Sequence, residues 1–297
     1  MYKRIIFIGP YSKGRIPTDG AAIKNCHILN RLHKLIPSLV KIDTDGWKKR
    51  PWLLVRILMM VVCNSRSKYI LSLNNDSANK LIRIIHKIAP QASVIYWVIG
   101  GSIGKWLCEK RVNANDYKWL TNIIVEGDSM KRQMETVGLR NVTTMPNFKS
   151  LVSIEKSHNV CSSILKLVFL SRINPEKGCN LILDAADILN KRGYSGNYTI
   201  DFYGSIEPHY KKIFISRINA LQNVRYQGFL DLRICSNYNK LANYDAMLFP
   251  TYWHGEGCPG VVIDAYMCGL PILASDWNLN RDYIVDNKTG VLFEPSQ

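Results

Sequence analysis

The stretch that decides the fold is HGEGCPGVVIDAYMCGLP, residues 254–271. It follows YDAMLFPT (244–251), an apolar run that predicts a buried strand, and it reads as a glycine-rich loop followed by an apolar helix. Pro259 suits the first turn of that helix, where its missing N–H costs nothing, and Gly269 and Pro271 are stop signals. A strand, a glycine loop and a helix in this order are the building block of an α/β fold.

The start of this predicted helix is suited to an anion. Its first N–H groups have no partner within the helix and lie at the positive end of the helix dipole, so we expect a phosphate or pyrophosphate there. Glu256 precedes the helix, and Asp264 lies about one turn inside it. Because carboxylates do not bind phosphate, we expect both acids to hold hydroxyl groups, such as those of a sugar or a ribose.

Similar units recur along the whole chain, and strands that alternate with helices imply a parallel sheet covered on both faces. The region 142–163 lacks sustained periodicity and predicts a linker. We therefore predict two Rossmann-like parallel-sheet domains, over residues 1–155 and 156–297. The predicted strands cover about 4–8, 39–43, 68–73, 92–100, 121–127, 165–173, 198–204, 223–230 and 244–251, and the clearest helices start near Gly20 or cover 77–89 and 178–193.

Composition excludes several classes of protein. With 297 residues, 47% hydrophobic and 21% charged, the chain is neither disordered nor a coiled coil. Its longest apolar run, 51–63, is interrupted by Arg56 and falls short of the ~20 residues that a membrane span needs. No export signal is visible. The eight cysteines form no CxxC pair and no Cys/His cluster, so neither a metal site nor a disulfide is predicted.

The net charge of +16 is carried by one half of the chain. Residues 1–150 contain 25 Lys and Arg against 9 Asp and Glu, whereas the two signs balance over 151–297. A one-sided basic surface favours an anionic partner, such as nucleic acid, anionic lipid or a phosphorylated substrate, or simply aids solubility. No nucleic-acid-binding motif is present, so we expect no nucleic-acid partner. The segment WKKRPWLLVRILMM (47–60) is either a membrane-surface segment or a buried helix with a basic lead-in.

Two motifs resemble those of a known family. EGCPGVVIDAYMCGLPILAS (256–275) resembles the Glu-x7-Glu motif of the retaining glycosyltransferases of family 4, also called group 1, which have the GT-B fold; here the second acid is Asp264. FLSRINPEKGCNLILDA (169–185) resembles a second motif of that family. The resemblance implies two domains that face each other across a cleft. It also implies transfer of a sugar from a nucleoside diphosphate sugar, UDP or GDP, to an acceptor hydroxyl with retention.

The resemblance assigns roles to particular residues. Glu256 would lie at the donor sugar, Asp264 would hold the ribose, and Arg172 and Lys177 would hold the diphosphate, with no metal and no other cofactor. The further donor-binding candidates are Gly257, Cys258, Pro259 and Gly260 at the helix start, Gly204 after a strand, and Gly14 and Gly20 in the first loop, while Gly100, Gly101 and His254 are candidates for positions near the sugar.

The family resemblance also places the protein in bacterial surface-polysaccharide assembly, of a capsule, an O-antigen or an exopolysaccharide. The acceptor would be a lipid-linked saccharide or an oligosaccharide. The basic N-terminal half would hold a cytoplasmic protein against the anionic inner face of the cytoplasmic membrane. Two alternatives stay open, a catalytically silent GT-B partner protein and a nucleotide-sugar epimerase. The sequence ends earlier than the family pattern, which usually continues with further helix.

Overall fold

The computed structural model describes residues 4–17, 19–155 and 163–294, which form two compact units, Met1–Lys149 and Ser150–Gln297. The division falls slightly before the predicted boundary at 155/156. Val152 and Ile154 pack against the core of the second unit, and the Glu155 amide donates to Asn239 Oδ1 at 3.0 Å. The segment 150–155 therefore belongs with the second unit, while 156–162 of the predicted linker lie outside the described residues.

The described part of the N-terminal unit is built on a parallel sheet of six strands in the order β2-β1-β3-β4-β5-β6. Each predicted strand of this half is present, and most of its apolar residues are buried, as a parallel sheet requires. The elements are β1 (Ile5–Gly9), α1 (Gly20–Leu35), β2 (Val40–Asp43), α2 (Trp52–Cys63), β3 (Lys68–Leu71), α3 (Asn75–Ile88), β4 (Ser93–Trp97), α4 (Ile103–Cys108), α5 (Asn115–Lys118), β5 (Asn122–Val125), α6 (Asp128–Thr136) and β6 (Val142–Thr144), with a 3₁₀ turn at Trp47–Lys49.

Two sequence expectations for this unit need correction. β6 lies inside the stretch predicted as a linker, because three residues with two threonines are too short to show a period. The buried-helix interpretation of 47–60 is wrong for most of α2, because its fully buried positions are confined to one stripe, Leu53, Ile57 and Val61. Among the described helices, none is both long enough and apolar enough to cross a membrane.

The described part of the C-terminal unit holds a second parallel sheet, in the order β12-β11-β10-β7-β8-β9. β11 and β12, which the sequence analysis did not single out, complete one side of it. The elements are β7 (Leu165–Leu170), α7 (Cys179–Lys191), β8 (Tyr198–Tyr203), α8 (Lys211–Asn219), β9 (Val224–Tyr226), α9 (Asn237–Leu241), β10 (Ala246–Phe249), α10 (Gly260–Met267), β11 (Ile272–Ser275), α11 (Asn280–Tyr283) and β12 (Gly290–Phe293), with a 3₁₀ turn at Pro175–Lys177.

The strand order of this second sheet creates a switch point between β7 and β10. These two strands lie side by side, but the chain continues from β7 towards β8 and β9 and from β10 towards β11 and β12, in opposite directions. In open parallel sheets, ligands bind beyond the carboxyl ends of the strands at such a point, because the diverging loops leave a crevice. The two loops that start there, after Leu170 and after Phe249, carry both family-like motifs.

Candidate functional site

The loop after β7 is shaped by a cap and a glycine. Asn174 Oδ1 accepts the Lys177 amide at 2.9 Å, which starts the 3₁₀ turn, and Pro175 occupies its first position. Gly178 follows with φ +78°, and a Cβ there would lie 2.0 Å from the Pro250 carbonyl oxygen. Only glycine therefore allows the backbone of the first loop to approach that of the second.

This approach places Lys177 against Glu256. The Lys177 ammonium donates to Glu256 Oε2, and the Thr251 hydroxyl donates to the same oxygen at 2.9 Å. Thr251 is fully buried, and the other two side chains are nearly so. Burying two charges costs free energy that their attraction repays only with good geometry and further hydrogen bonds, so a structure retains such a pair mainly where it serves a purpose. The two residues assigned to the diphosphate and the sugar are thus in contact.

Arg172 lies in the same loop but has a different partner. Its Nη1 is 3.6 Å from Glu207 Oε1, its guanidinium carbon lies 5.8 Å from the ring centre of Trp253, and its side chain is 55% exposed. Asn174 Nδ2 donates to the same Glu207 oxygen at 2.7 Å. The guanidinium is therefore accessible, oriented by a carboxylate and close to an indole face, which is an arrangement suited to an anionic ligand.

Asp264 points into the protein from α10. It accepts a hydrogen bond of 2.6 Å from the Tyr238 hydroxyl, and both residues are buried. Burial first, then the charge of Asp264, raises the pKa of Tyr238, so its hydroxyl stays protonated and donates to the carboxylate. Glu256 and Asp264 thus have separate partners within this unit, and the ribose role of Asp264 stays a prediction.

The helix start itself departs slightly from expectation. α10 begins at Gly260, and Pro259 is the preceding cap residue, with φ −69° and ψ +131°, rather than part of the first turn. Gly257 and Cys258 are buried just before it. No side chain caps the helix, so its first N–H groups keep the polarity expected of an anion site.

The remaining glycine candidates have distinct environments. Gly204 has φ +144°, and a Cβ would lie 1.8 Å from the Ser171 carbonyl oxygen, so it brings the end of β8 against the end of β7. Gly14 and Gly100 have φ values of +71° and +85°, Gly20 is the first residue of α1, and Gly101 is buried. The last four lie in the N-terminal unit, in the loops after β1 and β4 or, for Gly20, at the start of α1, and their approach to a donor stays a prediction.

His254 is exposed on the loop after β10. Its ring centre lies 5.4 Å from that of Trp277, whose indole N–H donates to the Trp253 carbonyl at 3.0 Å. Sequence reasoning missed Thr251, Trp253, Glu207 and Tyr238. For Thr251 and Trp253 a signal existed, because Thr251 ends the predicted strand 244–251, Trp253 follows it, and both precede Glu256. Glu207 lies in the loop after β8 and Tyr238 lies in α9, outside the two motifs, so their contacts with Arg172 and Asp264 arise only through packing.

No cluster of three or more metal-ligating side chains occurs within the described ranges 4–17, 19–155 and 163–294. Burial raises the pKa of the Cys179 thiol, which starts α7 beside Lys177, to about 12. Cys179 is therefore a neutral packing residue and not a nucleophile. The site's chemistry rests on one arginine, one buried lysine–glutamate pair and a helix start.

Comparison with known proteins agrees with this geometry. Residues 153–297 match the family model described as "Glycosyl transferases group 1". The C-terminal unit is a group 1 glycosyltransferase domain. Among curated relatives, the chain is 27% identical over 132 residues to the amylovoran biosynthesis glycosyltransferase AmsK of Erwinia amylovora, covering 43% of this chain and 32% of AmsK. It is 22% identical over 293 residues to the poly(ribitol-phosphate) alpha-N-acetylglucosaminyltransferase of Staphylococcus aureus, covering 96% and 54%.

The chain therefore spans only about a third and about half of the lengths of these two relatives. A solved structure gives the fold beyond the group 1 domain. Alr3699/HepE of Anabaena, in complex with UDP and glucose, superposes with a TM-score of 0.68 at 14% identity, over 98% of this chain and 86% of that one. At this level of identity the likeness concerns the fold alone. The two Rossmann-like units are those of the GT-B fold, as the motifs predicted.

Proposed function

We propose that the protein is a glycosyltransferase that moves a sugar from a nucleoside diphosphate sugar to an acceptor hydroxyl, with retention at the anomeric carbon. The observation that carries the proposal is the buried contact between Lys177 and Glu256 at the switch point of the second sheet. Group 1 membership of that unit and the glycosyltransferase names of both relatives support it. UDP is the first donor nucleotide to test, because Alr3699/HepE was solved with UDP and glucose; GDP is the second.

The residues of this site suit each requirement of such a transfer. Arg172 and Lys177 neutralise the diphosphate as negative charge develops on it, together with the N–H groups at the start of α10. Glu256, fixed by Lys177 and Thr251, accepts hydrogen bonds from sugar hydroxyls and orients the anomeric carbon. Asp264 holds the ribose, and Glu207 orients Arg172.

The proposed step balances without a further reactant. The bond between the anomeric carbon and the leaving phosphate oxygen breaks, and the acceptor oxygen bonds to the same carbon on the same face. The acceptor's proton passes to the departing phosphate oxygen, and a nucleoside diphosphate is released. No metal is required in this scheme, because Arg172, Lys177 and the helix start carry the positive charge.

The acceptor is proposed to be a lipid-linked saccharide or an oligosaccharide of a bacterial surface polymer. The names of the two relatives, an amylovoran biosynthesis glycosyltransferase and a poly(ribitol-phosphate) alpha-N-acetylglucosaminyltransferase, support this class. The donor would then be met in the cytoplasm and the acceptor at the inner face of the cytoplasmic membrane. The excess of basic residues over 1–150 fits that peripheral location.

A two-stage experiment tests this proposal. Thermal melting with UDP, GDP and ADP, and then with their sugars, identifies the donor: at 100 times its Kd a ligand stabilises the native state by about 2.7 kcal/mol. Transfer of labelled sugar from that donor to a lipid extract of a capsulated bacterium is then measured for the wild type and for Lys177→Ala. Lys191→Ala is the matched control, because Lys191 is an exposed lysine on α7.

Each result separates the alternatives. We expect stabilisation by one nucleotide, and transfer that Lys177→Ala abolishes and Lys191→Ala retains. Nucleotide binding without transfer to any acceptor would favour the silent partner protein. Conversion of the nucleotide sugar into its epimer without an acceptor would favour the epimerase. Wild-type turnover by a correctly folded Lys177→Ala protein would refute the assignment of the site.

A further inference from the structure

Helix α2 exposes an apolar face that the proposed chemistry does not use. Leu53, Ile57 and Val61, spaced one turn apart, are its fully buried side chains. Large apolar residues elsewhere on the surface occur singly or in pairs along the sequence, which is normal, whereas here six lie on twelve residues of helix. They are Trp52, Leu54, Val55, Leu58, Met59 and Val62, with exposed fractions between 37% for Leu58 and 62% for Met59.

These six side chains form one continuous surface. At 100° per residue, Leu54, Leu58 and Val62 follow one another along the helix, and Val55 and Met59 form the adjoining row. The buried stripe lies on the opposite side. Burying such side chains away from water is favourable, so a face of this size favours contact with another apolar phase.

The chain around this face is predominantly basic, with Asp45 and Asp76 at the two ends of the basic segment. Residues 46–75 contain six Lys and Arg and no Asp or Glu. Arg56 is exposed on α2 itself, and Lys49 is exposed before it. Helix α3 packs beside α2, and its exposed residues include Lys80 and Lys87. An apolar face with a basic border complements a surface that offers hydrocarbon below a layer of negative charge.

We infer that α2 docks the protein on an anionic lipid bilayer, lying in the plane of the membrane with Leu58, Met59 and Val55 in the acyl region. Twelve residues span about 18 Å, well short of the ~30 Å hydrocarbon core, so α2 lies on the bilayer and does not cross it. Basic residues beside an apolar helix face are the mark of such interfacial helices. The inference rests on the proposed function only for which leaflet is met; docking itself requires no donor or acceptor.

The test is co-sedimentation of the full chain with vesicles. One set is made of equal parts phosphatidylglycerol and phosphatidylcholine, and the other of phosphatidylcholine alone. The double variant Leu58→Asp/Met59→Asp places two carboxylates in the docking face. The matched control is Ile188→Asp, which changes an equally exposed apolar residue on α7 of the C-terminal unit. Circular dichroism and thermal melting verify that each variant is folded.

We expect the wild type and Ile188→Asp to bind the anionic vesicles at low salt, and binding to weaken as salt screens the charges. Binding to phosphatidylcholine alone should be weaker. Leu58→Asp/Met59→Asp should lower the partition coefficient by about tenfold or more, because two apolar side chains that enter the acyl region of the bilayer are replaced by charged ones. A blue shift of tryptophan fluorescence on binding, absent in Trp52→Phe, would place the helix itself in the bilayer.

Three results would overturn the inference. The wild type fails to bind anionic vesicles at low salt, or the double variant binds as well as the control. Alternatively, light scattering shows a dimer that Leu58→Asp/Met59→Asp dissociates while vesicles bind neither protein, in which case the face joins two copies of this chain. Because no outcome depends on a nucleotide sugar, failure here leaves the proposed function standing, and failure to find transfer leaves the docking result standing.

Discussion

Among the residues that the structure describes, each of the two units buries one lysine–glutamate pair, and the two pairs differ in ways that separate a structural role from a functional one. In the N-terminal unit, Lys24 of α1 contacts Glu126 at 2.5 Å and also donates to the Val98 carbonyl at 2.9 Å. In the C-terminal unit, Lys177 contacts Glu256, which also accepts from Thr251. Both lysines donate directly to a glutamate carboxylate, and both pairs lie beyond the carboxyl ends of parallel strands.

The differences lie in exposure and surroundings. The side chains of Lys24 and Glu126 are 3% and 4% exposed, and the lysine has a backbone carbonyl as a second acceptor. Those of Lys177 and Glu256 are 9% and 10% exposed, in glycine-rich loops at the switch point. The sealed pair, Lys24–Glu126, joins α1 to the ends of β4 and β5. In the Lys177–Glu256 pair, which lies at a crevice, either charged group can exchange its partner for a ligand. Variants of the two pairs, and of the residues around the second, test this contrast.

The largest effect is expected from breaking the sealed pair on one side. Lys24→Met leaves Glu126 as a buried charge without its ammonium partner, so the free energy of unfolding should fall by about 3–5 kcal/mol. Urea denaturation of the full chain measures it. The double variant Lys24→Met/Glu126→Leu should recover most of the loss, because no uncompensated charge remains. Equal stability of Lys24→Met and the wild type would show that this pair is not structural.

The Lys177–Glu256 pair at the switch point, and Arg172 in the same loop as Lys177, should instead affect activity more than stability. Glu256→Gln and Arg172→Ala are each expected to lower kcat/KM for sugar transfer about 10²–10³-fold, because each removes a preorganised group. Their melting temperatures should fall less than that of Lys24→Met, since the site is partly open to water. If Glu256→Gln lowers the free energy of unfolding by as much as it raises the activation free energy calculated from kcat/KM, the Lys177–Glu256 pair is structural as well.

A smaller effect is expected at the acid inside α10. Tyr238→Phe removes a hydroxyl that donates to the buried Asp264, and should lower the free energy of unfolding by about 1–3 kcal/mol. If Asp264 holds the ribose, Asp264→Ala should weaken nucleotide binding more than Tyr238→Phe does, because only the former removes the acceptor. Calorimetric titration with the donor nucleotide compares them, and equal affinities would place the ribose elsewhere.

The smallest effect at neutral pH is expected at Cys179, the buried residue that starts α7 beside Lys177. Burial raises the pKa of Cys179 from 9.0 to about 12, so above pH 9 the unfolded chain holds fewer protons than the folded one. The contribution of this thiol to the free energy of unfolding should therefore be fully present below pH 9. It should decline from pH 9 to 12, by at most about 1.4 kcal/mol per pH unit.

Cys179→Ala isolates that contribution. The difference in urea midpoint between wild type and variant should narrow as pH rises, whereas Cys235→Ala, which changes an exposed thiol, should show a constant difference. Parallel pH profiles for all three proteins would contradict the burial of Cys179 in the working protein.

Much of the fold could be predicted from the sequence because strands of a parallel sheet are apolar runs with local signals. The predicted bounds 4–8, 165–173 and 198–204 differ by at most three residues from those of β1, β7 and β8. β6 was missed because three residues show no period. The exposed face of α2 was left open, since an all-apolar helix reads the same whether it faces a core or a membrane.

The candidate site divides in the same way. The sequence could single out Glu256, Lys177 and Arg172, because each lies in a contiguous motif beside a glycine-containing loop. There, glycine is needed for a close approach of the backbone, as at Gly178. Glu207 and Tyr238 were not found, because they come from the loop after β8 and from α9 and contact the motif residues only after folding. The sealed pair is the clearest case: Lys24 and Glu126 are 102 residues apart, and neither belongs to a motif.

The sequence by itself determined the class of fold, the family of the C-terminal unit, the identity of the charged residues at the switch point and the basic character of the N-terminal half. These follow from local patterns, in which neighbours in the chain are neighbours in space. Only the tertiary structure decided that Lys177 meets Glu256, that Arg172 faces Glu207, and that α2 turns most of its apolar side chains outward. Those facts depend on how distant strands and helices pack, and packing between remote segments leaves no mark on a local stretch of sequence.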